Sequence, residues 1–273
     1  MTPLLVAELA AIGAVAGVVG SLVGLGGAFI VIPVLRLVFG LPPAETSAVS
    51  LFMVFANSLS GSIGYLRNGR ADVRLALVVA ATGIPTSILG AYLVGKVTFA
   101  GFDYLYGAFL TYFFIDVMRR RNRPPSTAPV RAPDAKERTL VDIDGVRYTY
   151  TTSVVLSLFC GLLFGLVSSF FGVGGGLVFV IFFIALLRMP TAIVTATSTL
   201  TIVLTSPAGV LWHVAQGAID WSYAVPLAAG GLVGGQFGPR LARRMSSPQI
   251  LTVLAYTVLL AAASLVLKHI LGF

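Results

Sequence analysis

The sequence has few charged residues, one cysteine and two histidines. Of its 273 residues, 10% are charged and 57% are hydrophobic, whereas soluble domains carry about 25% charged residues. Long charge-free stretches must therefore face lipid or other helices. The single cysteine, Cys160, excludes an intrachain disulfide and a thiol cluster. His213 and His269 lie too far apart for a metal motif. The composition predicts a polytopic membrane protein without a metal site.

The positive charge of the chain is concentrated in one place. The net charge is +8, and eight of the eighteen Lys and Arg residues lie between Arg119 and Arg147. A nucleic-acid partner would need a basic surface, but here the basic residues belong to a loop between apolar segments. We interpret them as a signal of membrane topology, and no nucleic acid is expected as a partner.

Two apolar segments, residues 4–39 and 153–187, are about 35 residues long. One span needs about 20 residues, so each segment is too long for one helix and slightly short for two. Each holds a glycine cluster near its middle, at residues 24–27 and 172–176. Because glycine costs about 1 kcal/mol relative to alanine inside a helix, we expect both segments to break there.

The two glycine clusters belong to an internal repeat. Gly24 and Gly172 are 148 residues apart, and without any gap the same offset pairs further Gly, Pro, Ser and Asp residues. The pairs include Pro42 with Pro190, Ser50 with Ser198, Ser58 with Ser206, Gly69 with Gly217 and Asp72 with Asp220. Shared apolar composition does not produce such matches, so the chain is interpreted as a tandem duplication.

Charge placement predicts that the two copies are inverted. The loop after the second segment contains Arg67, Arg70 and Arg74 in the first copy, but its counterpart near residue 220 contains only an aspartate. One loop later the bias reverses. The first copy has only Lys96, whereas the equivalent loop of the second copy has three arginines at residues 240–244. Since Lys and Arg concentrate in cytoplasmic loops, equivalent loops would lie on opposite sides of the membrane.

The predicted fold is an all-α polytopic membrane protein with two inverted repeats, each a broken or hairpin-like long segment followed by three transmembrane helices. The first repeat covers residues 1–118 and the second covers residues 153–273. Between them, residues 119–152 form a basic cytoplasmic linker, and both termini would lie outside. Residues 139–151 alternate apolar and polar around Asp144-Gly145, which predicts a small β-hairpin with a two-residue turn.

The glycine clusters are the candidate substrate site. Breaking a helix within the membrane exposes backbone N–H groups and the positive end of a helix dipole, which suits an anion. The predicted binding residues are Gly26, Gly27, Gly174 and Gly175, with polar side chains on the segments that follow: Ser50, Asn57, Ser198 and Thr205. The alternative for the glycines is close helix packing, and for each hydroxyl it is an ordinary interhelical hydrogen bond.

Three other polar positions have two interpretations each. Arg36, embedded in an apolar stretch, either reaches the membrane interface or attracts substrate electrostatically. His213, beside Trp212, either anchors at the interface or relays protons. The matched pair Asp72 and Asp220 directly precedes helical segments and is interpreted as N-caps.

The order of these motifs resembles the TauE/SafE-type sulfite exporter family. The resemblance rests on Gly24-Leu25-Gly26-Gly27-Ala28 followed by Pro33, on Pro42-x-Ala44, on a serine-rich second helix, on Gly69-x-x-Asp72, and on the repetition of the pattern. It implies a multi-pass transporter in the bacterial cytoplasmic membrane for small sulfur-containing anions such as sulfite, sulfoacetate or thiosulfate, without a catalytic cofactor.

The leading hypothesis is therefore a secondary transporter, with export as the expected direction and alternating access at the repeat interface. An anion channel using the same path is the second hypothesis, and a membrane-embedded enzyme is the third. No Ser/His/Asp set, carboxylate pair or metal cluster supports an enzyme. The partners expected are the anion and the lipid bilayer, and the sequence leaves a homodimer open.

Overall fold

The computed structural model describes residues 2–121, 134–185, 187 and 189–271. Within them the first part of the chain forms five helices: α1 (Pro3–Val23), α2 (Ala28–Leu37), α3 (Pro43–Arg67), α4 (Val73–Val94) and α5 (Phe99–Arg121). A hairpin of β1 (Lys136–Val141) and β2 (Arg147–Thr152) follows. The described part of the second half forms α6 (Val154–Phe171), α7 (Gly176–Ala185), α8 (Thr191–Ala215), α9 (Trp221–Gly235), α10 (Phe237–Ala242) and α11 (Ser247–Leu271).

Both long apolar segments break at their glycine clusters, which confirms that prediction. Helix α1 ends at Gly24, whose φ of 80° lies in the left-handed region. The N–H groups of Leu25 and Gly26 then turn back to the carbonyl oxygen of Gly20. Gly172 ends α6 in the same way, with a φ of 75°. Only glycine adopts this conformation without strain, so the sequence itself ends the two helices.

The helices follow the predicted offset of 148 residues. Helices α2 and α7 begin and end at equivalent positions, and so do α3 and α8. One clear departure lies in residues 221–242, the counterpart of α4, which are divided at Gln236 into α9 and α10. Pro239 explains the division, because it has no N–H group to donate to the carbonyl of Gly235 four residues earlier.

Helices from the two halves pack against each other. Helix α1 lies on α9, and its counterpart α6 lies on α4. An added Cβ atom at Gly13 would be 2.2 Å from the carbonyl oxygen of Leu227, and one at Gly17 would be 2.9 Å from that of Gly231. Because the contact moves four residues forward along both helices, α1 and α9 run in the same direction. Small residues in membrane helices allow this close approach of two backbones.

Helices α3 and α8 form the centre of the molecule. They contact each other, and each also packs on the other half, α3 on α9 and α8 on α4. Five helices of the described residues are long and apolar enough to span a membrane: α1, α3, α4, α6 and α8. The most enclosed of the five are α3 and α8, and the glycine turns lie beside them.

The predicted β-hairpin is present, but its turn is longer than expected. Strands β1 and β2 pair antiparallel, with Val141 opposite Arg147. The carboxylate of Asp142 accepts hydrogen bonds from the N–H groups of Asp144 and Val146, and Gly145 has a φ of 78°. These contacts form a three-residue loop with a glycine bulge instead of the predicted two-residue turn. The rest of the predicted linker, residues 122–133, lies outside the described residues.

The hairpin docks on the loop between α3 and α4. The guanidinium of Arg138 donates to Asp72 at 2.6 Å, and the hydroxyl of Tyr150 donates to the same carboxylate at 2.8 Å. Arg70 forms an ion pair with Asp142. Asp72 also accepts from the N–H of Leu75, which confirms its predicted role as an N-cap, and Asp220 caps α9 in the same way. The hairpin is therefore tied to the helices and is more than a solvated connector.

Candidate substrate site

The two glycine turns meet beside the middle of α3. A Cβ atom added at Gly26 would lie 2.5 Å from Cγ1 of Val54, and one added at Gly174 would lie at the same distance from the same atom. Ile202, the counterpart of Val54 on α8, is the next side chain beside Gly174. Gly26 and Gly174, predicted from sequence as one site, are therefore brought together around a single side chain.

Each turn is held by a serine from the other half of the chain. The hydroxyl of Ser198 donates to the carbonyl oxygen of Gly24 at 2.7 Å. The hydroxyl of Ser50 donates to the carbonyl oxygen of Gly172 at 3.1 Å. Both serines are fully buried. Both serines were predicted from the sequence as binding residues, and in the structure their hydroxyls donate to backbone carbonyls of the turns.

Asn57 also reaches the first turn. Its side-chain amide donates to the carbonyl oxygen of Gly26 at 3.0 Å, and its buried Oδ1 atom has no hydrogen-bond partner. Thr205, its counterpart, donates to the carbonyl oxygen of Thr201 within α8 and packs against Gly83. Of these two predicted binding residues, Asn57 contacts a turn, whereas Thr205 is bonded within its own helix.

The other two candidate glycines lie against their own halves. A Cβ atom at Gly27 would be 2.3 Å from the carbonyl oxygen of Ala16, and one at Gly175 would be 2.7 Å from that of Phe164. These positions need glycine so that each turn can fold back on the preceding helix. Large substitutions there would disturb the helix pair itself.

The N-termini of α2 and α7 adjoin each other at the turns. Helix α2 begins after Gly27, which has no side chain with which to cap the helix. At the start of α7, a Cβ atom on Gly176 would be 2.2 Å from the carbonyl oxygen of Gly24 and 2.8 Å from Cα of Leu25. Two positive helix ends therefore converge in the interior.

The buried charged side chains of the described residues are neutralised by ion pairs. Within the described residues, the charged side chains that are buried have partners of opposite sign; these pairs are Arg36 with Asp103, Arg70 with Asp142, and Asp72 with Arg138. Backbone dipoles, hydroxyls and one amide remain as the polar groups around the turns.

Arg36 is buried and forms an ion pair with Asp103, whose side chain is one quarter exposed. Its guanidinium donates two hydrogen bonds of 2.8 Å to the carboxylate of Asp103 and one of 2.6 Å to the carbonyl oxygen of Leu41. It also lies over the ring of Phe99, 4.7 Å from the centroid. Its residual exposure is 1%, so it does not extend to an exposed surface. Sequence reasoning missed Asp103. The available signal was that neither Arg36 nor Asp103 has a charged counterpart in the second half, where the equivalent residues are Ile184 and Leu251.

Tyr65 is a second residue that sequence reasoning missed. Its hydroxyl donates to the carbonyl oxygen of Ser21 at 2.8 Å, close to the end of α1. Tyr65 is fully enclosed, with 1% exposure. It is joined there by Thr195 of the other half. The signal that could have found it is its position on the same strongly polar helix as Ser50 and Asn57.

These features define the class of the protein: an all-helical, multi-pass membrane protein whose two broken helices meet at its centre. The sequence profile of the family described as "Sulfite exporter TauE/SafE" matches residues 9–265. The chain belongs to the TauE/SafE family, and it is a membrane transporter of that type.

Relatives of known sequence agree with this family. The chain is 27% identical to the "Probable membrane transporter protein YunE" of Bacillus subtilis, over 96% of this chain and 97% of the relative. It is 26% identical to a "Probable membrane transporter protein" of Xylella fastidiosa, over 93% and 91%. A shorter match, 36% identical over 30% of this chain and 18% of the relative, is to "Sulfite exporter TauE/SafE family protein 5" of Arabidopsis thaliana. No solved structure matches the chain.

Proposed function

We propose that the chain is a secondary transporter that exports small sulfur-containing anions such as sulfite, sulfoacetate or thiosulfate. Its substrate site is formed by the two glycine turns, 24–27 and 172–176, with the polar side chains around them: Ser50, Asn57, Ser198 and Thr205. Binding needs no cofactor, and transport includes no catalytic step.

The observation that carries this proposal is the meeting of two helix N-termini in the interior. Helices α2 and α7 both begin at the turns that share Val54. A helix N-terminus binds anions through its free N–H groups and its dipole. In transporters built from internal repeats, such discontinuous helices point their N-termini at anionic substrate groups. Sulfur oxyanions present several acceptor oxygens, which suits a site of N–H and O–H donors.

An inverted arrangement of the repeats, residues 1–118 and 153–273, is part of the same proposal. Gly95 ends α4, and its counterpart Arg243 follows α10. Arg243 contacts Asp144 of the hairpin, which itself lies beside the start of α4. The 22 residues of α4 extend about 33 Å away from that point. Equivalent positions at opposite ends of the molecule support inversion.

This topology places the hairpin end on the cytoplasmic side. The arginine clusters near residues 70 and 240 belong to that end, and so do strands β1 and β2 of the linker. Helix α1 runs parallel to α9, so the N-terminus lies at the end away from the hairpin. The N-terminus is therefore assigned to the outside, and the charge pattern assigns the C-terminus to the same side.

The bonds that cross between the halves support alternating access as the mechanism. In this conformation Ser50 and Ser198 bond to backbone carbonyls of the opposite turn, and Val54 fills the space between Gly26 and Gly174. The conformation is closed around the site. Movement of one half relative to the other would separate a serine from its turn and open a path from one side. With an interior-negative potential, outward movement of one negative charge is favoured by about 2.3 kcal/mol per 100 mV.

The test is anion flux in proteoliposomes that contain the purified protein. Vesicles loaded with sulfite are given an inside-negative potential, and efflux is compared with that of empty vesicles. Saturable efflux with counterflow supports the carrier, whereas flux without either identifies a channel. Flux no faster than in empty vesicles overturns the proposal, and chemical consumption of the anion would identify an enzyme.

A matched pair of variants locates the site. Asn57→Asp places a carboxylate beside Gly26 and should reduce sulfite flux by about tenfold or more through charge repulsion. Gln216→Glu adds the same charge at an exposed position directly after α8 and should leave flux unchanged. Equal flux in both variants would place the site elsewhere.

A further inference from the structure

His213 is a buried ionisable side chain near the end of α8. Its residual exposure is 1%, and it is the one ionisable residue of that helix. It lies next to the transporter's centre through Ser169, which precedes the second glycine turn by three residues. Nothing in the proposed anion site requires an imidazole there.

The two ring nitrogens of His213 have different surroundings. The ring hydrogen-bonds to the backbone at Ser169, while the buried Nε2 atom has no partner. Nδ1 is therefore the donor, and Nε2 carries the free lone pair of a neutral imidazole. The hydroxyl of Ser47, from the other half, donates to the same Ser169 carbonyl at 2.7 Å. His213 thus helps to fix the end of α6 against α3 and α8.

This contact has a counterpart in the first half of the chain. Tyr65 lies 148 residues before His213, and Ser21 lies 148 residues before Ser169. The hydroxyl of Tyr65 donates to the carbonyl of Ser21, as His213 does to that of Ser169. The two halves therefore use equivalent contacts with different chemistry. A phenol keeps its proton at neutral pH, whereas an imidazole exchanges one near pH 6.5.

The two contacts lie at opposite ends of the molecule. Thr197 of α8 accepts a hydrogen bond from the N–H of Asp72, beside the docked hairpin. His213 is sixteen residues further along α8, which is about 24 Å at 1.5 Å per residue. Tyr65 lies at the hairpin end, two residues before the end of α3. One contact lies on each side of the glycine turns.

Charged groups do not compensate a proton on His213. Among the described residues, no ion pair includes His213. Helices α1, α3, α4, α6 and α7 pack against α8. The ionisable groups at this end are Glu8 of α1, Glu45 of α3, Tyr92 of α4, and Lys96 and Asp220 in the segments after α4 and α8. The ring of Tyr92 contacts that of Trp212. At the hairpin end of α3 and α4 lie Tyr65, Arg67 and Arg74, while α6 carries Cys160 and the described part of α7 carries none.

We propose that His213 is a proton-binding site and that its protonation opens the path to the anion site at the end away from the hairpin. A second proton would give the buried Nε2 an N–H group without an acceptor and a charge without a counter-ion. Both favour exposure of the imidazolium to water, so the proton is bound more strongly by the open state. This inference rests on the proposed transport function for its consequence, which is acid-stimulated anion exchange from that side.

The structural part of the proposal is tested by accessibility, without any substrate. In a Cys160→Ala background, Ser47→Cys places a thiol beside the Ser169 carbonyl, and Gln216→Cys provides an exposed reference thiol at the same end. Labelling by a membrane-impermeant maleimide is measured from pH 8 to pH 6. The rate at position 47, divided by that at position 216, should rise several-fold as the pH falls.

Two variants decide whether His213 causes this rise. His213→Gln keeps a donor for Ser169, and His213→Tyr copies the residue of the first half. Both should flatten the pH profile while keeping the elution profile of the folded protein. An unchanged rise in either folded variant overturns the proposal, and so does a flat profile in the protein that retains His213.

A transport assay distinguishes this proposal from the proposed function. Sulfite exchange by the wild type should be stimulated by acid on the His213 side, and both variants should lose the stimulation. If no sulfur anion is moved by the wild type, the transport assignment fails while the labelling result still decides the role of His213. If sulfite is moved with the same pH profile in all three proteins, the proton site is wrong and the transporter stands.

Discussion

Ser198 donates a hydrogen bond of 2.7 Å to the carbonyl oxygen of Gly24, 174 residues earlier in the chain. The bond joins a helix of the second half to the broken helix of the first. Ser50 and Gly172 repeat it in the opposite sense. Because the pairs are reciprocal, neither half can complete its own turn, and the centre of the molecule exists only when both halves are assembled.

Removal of these hydroxyls should weaken the closed state. Ser50→Ala and Ser198→Ala each leave a buried carbonyl without this donor, so we expect a loss of about 1 kcal/mol of stability per site and a changed transport rate. Thermal unfolding and sulfite flux measure the two effects. Ser60→Ala is the matched control, since Ser60 donates to the carbonyl of Leu232 at 2.7 Å away from the turns. If Ser60→Ala alters flux as strongly, the turns are not special.

The turn glycines give a second prediction. Gly172→Ala would strain a φ of 75° and place a Cβ atom 2.1 Å from the hydroxyl oxygen of Ser50. Gly217→Ala strains a φ of 64°, but no atom lies within 4 Å of the added Cβ. We expect Gly217→Ala to cost about 1–2 kcal/mol and to retain flux. Gly172→Ala should lose clearly more stability and abolish flux. Equal thermal shifts would mean that strain alone, without the contact to Ser50, explains the glycine.

Much of the fold follows from the sequence because the physical signals are strong. The glycine clusters break long apolar segments, since only glycine adopts the left-handed conformation freely. The offset of 148 residues fixes α2 and α7, and α3 and α8, at matching bounds. The alternating segment around Asp144 and Gly145 predicts the hairpin.

Side-chain partners at the site are less predictable. The sequence selects Ser50 and Ser198, yet it does not indicate that their hydroxyls bond to backbone carbonyls of the opposite turn. Thr205 matches Asn57 in position, but a threonine is too short to repeat the bond that the asparagine amide makes. These contacts depend on how helices that are distant in the sequence pack together, and a local sequence pattern does not contain that information.

The Arg36–Asp103 pair gives a third prediction. Asp103→Asn leaves the buried guanidinium of Arg36 without its charged partner, and breaking a buried pair costs about 3–5 kcal/mol. Arg36→Gln leaves Asp103, which is one quarter exposed, and should cost less. The double change Arg36→Ile with Asp103→Leu copies the residues of the second half, so we expect stability close to that of the wild type. Thermal unfolding of the four proteins measures this difference. A double variant as unstable as the single variants would contradict the prediction.

The same double variant tests whether Arg36 attracts substrate. The guanidinium already donates to Asp103, Leu41 and Phe99 in this structure, so removal of both charges should leave the KM for sulfite unchanged. A KM raised several-fold in a stable double variant would restore the electrostatic role that the sequence suggests.

Acid should release the hairpin from the helices. Burial disfavours the charged form of Asp142, but the N–H groups of Val146 and Asp144 and the Arg70 guanidinium outweigh it and hold the pKa of this carboxyl below its ordinary value. Since the folded pKa is lower than the unfolded one, this stabilisation is complete above about pH 4 and is lost as the pH falls through the folded pKa. Cleavage of the hairpin by pepsin, followed from pH 5 to pH 2, should therefore accelerate at the acid end.

Asp142→Asn keeps one acceptor oxygen but removes the charge that pairs with Arg70, so its hairpin should be cleaved faster already at pH 5 and show a smaller increase. Identical pH profiles for the two proteins would assign the acid release to other carboxylates, with Asp72 and its partner Arg138 as the next pair to examine.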